Sequence, residues 1–117
     1  MHMHADGEDF TVAAEIFRLL ADPTRVALLH ALTHDDELSV TALAESVDKR
    51  QASVSQHLAK LRMGRLVTTR KQGTTVLYRL ANAHVGRLVV DALSQADHLG
   101  PGVPAHHRQP DGVDPPG

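Results

Sequence analysis

Residues 39–73 read SVTALAESVDKRQASVSQHLAKLRMGRLVTTRKQG, and this stretch decides the fold. Ser39 is a good N-cap for a short helix through Val40, Leu43, Ala44 and Val47, and Asp48 to Arg50 reads as a turn. The next helix, about Gln51 to Met63, puts Val54, Leu58 and Leu61 on an inward face at i, i+4 and i+7. Gln51, Ser53, Ser55, Gln56, Ala59 and Lys60 face outward, and Gly64 reads as the C-cap. Two runs rich in β-branched residues follow, Leu66 to Arg70 and Thr74 to Leu80. Lys71-Gln72-Gly73 joins them, which predicts a hairpin with basic residues at its tip. Two short helices around a tight turn, followed by a basic hairpin, make the kit of a winged helix-turn-helix: a mainly α fold with a β-hairpin wing.

The chemistry of the second helix agrees with that geometry. A helix that enters a groove about 12 Å wide needs short or flexible hydrogen-bonding side chains outside. Gln51, Ser53, Ser55 and Gln56 meet that need, since Gln pairs with adenine edges and Ser reaches bases or phosphates. Lys60, Arg65, Arg70 and Lys71, with Gly73 at the hairpin, would neutralise phosphates and set register on double-stranded DNA. His57 falls on the boundary between the faces, so packing, phosphate and base contact all stay open for it. The net charge of −2 hides a strong segregation. From Lys49 to Val90 there is no acid but nine bases, whereas the 48 residues before hold ten of the fourteen acids. A 42-residue stretch without acids favours a polyanionic partner.

Outward from this core, a first helix is expected from about Asp9 to Leu20, with Val12, Ile16, Phe17 and Leu20 in one apolar stripe. Asp22-Pro23 starts a second helix whose apolar face is Val26, Leu29 and Leu32, and His34 to Glu37 forms a polar loop. A last helix, about Ala83 to Leu99, carries Val85, Leu88, Val89, Ala92 and Leu93. The 117 residues suit one domain, residues 9–99, between a flexible start at 1–8 and a flexible Pro/Gly/His tail at 100–117. No apolar run is long enough for a membrane span or a signal peptide, which points to a cytoplasmic protein. Without cysteine there is no disulfide, thiolate nucleophile or soft metal site, and no Glu-with-His motif suggests a small His-based hydrolase.

Ala21-Asp22-Pro23-Thr24-Arg25, the run Ser53-Val54-Ser55-Gln56-His57-Leu58 with Leu61, and the Gly73 hairpin ending in Tyr78 resemble the ArsR/SmtB family over roughly residues 10 to 99. The resemblance implies a homodimeric transcriptional repressor, joined through its first and last helices, that releases its operator when a metal or other inducer binds. The operator should be an imperfect palindrome with half-sites about 34 Å apart.

The nine histidines bear on the inducer. Asp91, Gln95 and His98 all fall within about 40° of His84 around the last helix, yet His84 and His98 stand about 21 Å apart along it. One chain cannot close a site with both, whereas the same helix of a second subunit, packed antiparallel, brings them together. Against the family's usual last-helix pattern the match is partial: His84 and His98 fit, Asn82 replaces Asp, and Gln95 replaces a histidine. The nickel- and cobalt-responsive branch of the family is the better match. It implies His84, Asp97, His98, His106 and His107 as ligands, with Asp97 in place of a glutamate. Imidazole and carboxylate suit nickel, cobalt or zinc. His2 and His4 are weaker auxiliary ligands, and His30 and His34 read as structural or surface residues. The departures at Asn82 and Gln95 keep a second reading open: a DNA-binding repressor whose metal sensing belongs to a partner protein, or for which metal is a corepressor.

Overall fold

The computed structural model describes residues 7–100. Its elements are α1 (Gly7–Leu20), α2 (Pro23–His34), β1 (Leu38–Ser39), α3 (Val40–Val47), α4 (Gln51–Met63), β2 (Val67–Gln72), β3 (Thr75–Leu80) and α5 (Ala83–Leu99). The described residues fall into two units that divide after Arg87, within α5. The start and tail expected to be flexible lie mostly outside the described residues, but Gly7 and Glu8 already belong to α1. No helix among the described residues is long and apolar enough to cross a membrane.

Local signals set the helix ends. Asp22 caps α2 by accepting from the Arg25 N–H at 3.0 Å, with Pro23 in the first turn. Ser39 caps α3 through the Ala42 N–H at 3.2 Å. Asp48 ends α3 in the left-handed conformation, φ 55°, a region Asp tolerates better than most residues. At the end of α4 the expected glycine is present but does another job. Gly64 has φ −79°, and Arg65 takes the left-handed position at φ 64°. The Arg65 N–H donates to the Arg62 carbonyl and the Leu66 N–H to the Leu61 carbonyl, both at 2.9 Å, which is a Schellman closure with arginine where glycine is usual. Gly64 leaves room for α1, because a Cβ there would meet Leu19 Cδ1 and force that side chain to move.

The wing also departs from expectation. β2 and β3 pair antiparallel from Val67↔Leu80 to Gln72↔Thr75, so Lys71 and Gln72 are strand residues and the tip is Gly73-Thr74. Gly73 has φ +64°, as the first position of a type II′ turn requires. β1, expected to be loop and cap only, pairs with β3 through Leu38↔Tyr78 and Ser39↔Leu77, giving a three-stranded sheet in the order β1-β3-β2.

The core of the first unit is Leu28, Leu29 and Leu32 of α2, Leu43 of α3, Val54, Leu58 and Leu61 of α4, Leu66 and Val67 ahead of the wing, and Val85. Leu28 is buried while the expected Val26 is only half-buried, because α1, α3, α4 and β3 all pack on α2 and cover more than one stripe. Two expected burials fail among the described residues. In α1, Phe10, Val12 and Phe17 are 65%, 49% and 61% exposed, and no residue of that helix is buried. In the second unit Val89 is buried, but Leu88, Val90 and Leu93 remain exposed, as does Ala92.

Candidate nucleic-acid interface and metal ligands

The inward stripe Val54, Leu58 and Leu61 is wholly buried and fixes the roll of α4 about its axis. That roll leaves Gln51, Ser53, Ser55, Gln56 and Lys60 exposed. Among the described residues their side chains make no hydrogen bond to the protein, so a row of donors and acceptors stands open to a groove. Arg65 and Lys71 are exposed as well, at the end of α4 and on β2.

His57 and Arg70 are differently placed from their neighbours. His57 is half-buried, and its Nδ1 accepts from Arg25 Nη1 at 3.2 Å and lies 3.8 Å from Asp22 Oδ2. Arg25 Nε in turn donates to the Leu19 carbonyl at 2.6 Å. One small polar node therefore ties the end of α1, the start of α2 and the middle of α4. The Arg25 N–H, against some opposing burial, and the nearby charge of Arg25 hold the Asp22 carboxyl below its ordinary value. The sequence marks Asp22 as a helix cap but gives no sign that Arg25 and His57 join it. Arg70 is clamped by Glu37 through two bonds, Nε to Oε2 at 2.6 Å and Nη2 to Oε1 at 2.7 Å. This bidentate pair lowers the Glu37 pKa and raises that of Arg70, first through the side-chain hydrogen bonds and then through charge. Thirty-three residues separate the two in sequence, and no local pattern announces the pairing.

The metal ligands expected from sequence are spread out. His84 lies in the first turn of α5, Asp97 and His98 in its last, all exposed, while His106, His107, His2 and His4 lie outside the described residues. Among the described residues no cluster of three ligating side chains forms. His84 Nδ1 accepts from Arg87 Nη2 at 2.6 Å, because a guanidinium can only donate, so the ring's lone pair is already engaged. Asn82, at the position where the family pattern has a carboxylate ligand, accepts from the Val85 N–H at 3.2 Å and serves as the N-cap of α5.

A polar-faced helix seated on the core after a tight turn, with a basic wing behind it, defines a DNA-binding protein of the winged helix-turn-helix class. A helix-turn-helix domain model matches residues 20–70. The HTH-type transcriptional regulator KmtR of Mycobacterium tuberculosis is 58% identical over 102 residues, 87% of this chain and 78% of that protein. The HTH-type transcriptional repressor SmtB of the same species is 37% identical over 76% of this chain and 65% of its own length. Among solved structures, a homodimeric winged helix-turn-helix DNA-binding domain from Mycobacterium bovis superposes with a TM-score of 0.71 at 28% identity, covering 94% of this chain and 100% of that one. The chain belongs to the ArsR/SmtB family of transcriptional repressors, which are DNA-binding regulators and not enzymes.

Proposed function

We propose that the protein represses transcription as a homodimer on a palindromic operator, with nickel or cobalt, and zinc as a third choice, setting its DNA affinity. The observation that carries the DNA reading is the open polar face of α4, with Gln51, Ser53, Ser55 and Gln56 toward bases and Lys60, Arg65, Lys71 and the Gly73 tip toward the backbone. The exposed apolar residues Phe10, Val12 and Phe17 support the dimer.

His84, Asp97 and His98 of α5, with His106 and His107, are the proposed ligands. Their imidazole and carboxylate donors suit these ions, and the ion would supply charge and fixed geometry between subunits. Because Arg87 holds the lone pair of His84, binding there requires Arg87 to let go. Coupling between metal and DNA of about 1–3 kcal/mol is the usual scale for such switches. Fluorescence anisotropy on the operator at fixed salt tests the reading: saturating Ni(II) weakens binding, and unchanged affinity refutes metal control. The capping role of Asn82 and the engaged His84 favour a second reading, in which a partner protein senses metal or metal acts as corepressor. Loss of one tight nickel equivalent in His84→Ala supports direct sensing, whereas only weak nickel binding by the native chain supports the alternative.

A further inference from the structure

The best-prepared metal donor among the described residues lies away from α5, on the last turn of α2. His30 and His34 are four residues apart on one helix face, the spacing at which two imidazoles chelate one ion. Their rings stand edge to face with centroids 4.6 Å apart and planes at 77°. A nitrogen about 2.1 Å from an ion puts its ring centroid about 3.2 Å away. Two such rings at a right-angled N–metal–N geometry have centroids about 4.6 Å apart, against about 5.3 Å for a tetrahedral one. The observed spacing equals the right-angled value, so the rings would reach the geometry of Ni(II) and Cu(II) by turning about their side-chain bonds until both lone pairs meet at one point.

The proton arrangement suits a ligand as well. His34 Nδ1 lies 3.1 Å from the His30 carbonyl, which can only accept, so Nδ1 carries the proton and Nε2 keeps its lone pair. A backbone carbonyl behind the second ring nitrogen is the usual support of a metal-bound histidine. The Thr33 hydroxyl donates to the same carbonyl at 2.6 Å and holds the turn. His84 is the opposite case, its lone pair taken by Arg87. Field also helps, because the negative end of the α2 dipole and the exposed carboxylates of Asp35 and Asp36 adjoin the pair.

We infer that His30 and His34 form a two-imidazole binding site for a divalent late transition-metal ion, Cu(II) or Ni(II) ahead of Zn(II). No third carboxylate, imidazole or thiolate joins the pair among the described residues, so the ion keeps water in its remaining positions. The site is separate from the one proposed on α5 and the tail, and either can exist without the other.

The test titrates Ni(II), and separately Cu(II), into the full chain in a non-coordinating buffer. The proteins are the native chain, His34→Gln, and a His84→Ala, His106→Ala, His107→Ala background with and without His34→Gln. Calorimetry and paramagnetic broadening of the histidine ring signals give the readout. In the triple-alanine background one equivalent per protomer still binds, the His30 and His34 signals broaden together, and His34→Gln weakens that equivalent at least tenfold. Unchanged circular dichroism of His34→Gln shows that the loss is not unfolding. Equal uptake with and without His34→Gln overturns the inference, as does broadening that spares both rings. Failure of the α5 site would appear instead as unchanged uptake between the native chain and the triple-alanine background.

Discussion

Asp22 does two jobs with one carboxylate: it caps α2 and completes the node through which Arg25 reaches His57 of α4. Asp22→Ala should lower stability by about 1 kcal/mol in a denaturant melt, the usual cost of a lost cap. Its pKa is held below the ordinary value of 3.8, so its contribution is complete above that value and disappears as the pH falls through the lower, folded one. Asp22→Asn keeps the cap and removes this acid dependence, so native and variant stabilities should converge at the acid end of a pH series. Arg65 is a different case, a non-glycine residue at φ 64°. Arg65→Gly should stabilise the fold by up to about 1 kcal/mol, by relieving a left-handed arginine, while weakening DNA binding. A variant that gains in neither melting temperature nor salt-dependent dissociation would speak against both roles.

At the scale of elements, the wing shows how a basic residue can be legible and its state hidden. Lys71 is open, whereas Arg70 is held by Glu37 from the loop before β1. Lys71→Ala should reduce the slope of log affinity against log salt by about one. Glu37→Gln releases Arg70 and removes an anion beside the wing, so it should tighten DNA binding and steepen the same slope. A flatter slope would mean that Arg70 touches phosphate only while clamped. The helices were readable because their signals are local: the caps Asp22 and Ser39, and the 3.6-residue spacing of Val54, Leu58 and Leu61. β1 was not, since two residues cannot display a period and its partner β3 lies about forty positions away. The metal ligands were legible as residue types only. Which imidazole keeps a free lone pair is decided by Arg87 beside His84 and by a carbonyl beneath His34, and neither contact leaves a pattern in the sequence.

At the scale of the whole molecule, the apolar residues of α1 explain an expectation that the single chain does not meet. The stripe was visible in the sequence, but its Val12 and Phe17, like Phe10 outside it, find no cover within their own unit. A second copy is the occupant we propose, and Phe17→Glu should convert the dimer to monomer in sedimentation velocity with loss of operator affinity. A dimer of unchanged strength would place the interface elsewhere. The two faces of α4 have a consequence of another kind. Val54, Leu58 and Leu61 carry its packing, while Gln51, Ser53, Ser55 and Gln56 contribute nothing to the interior. Exposed substitutions of that sort usually change stability by no more than about 0.5 kcal/mol. Descendants of this gene can therefore adopt new binding sequences one residue at a time, with the scaffold indifferent to which address is written on it.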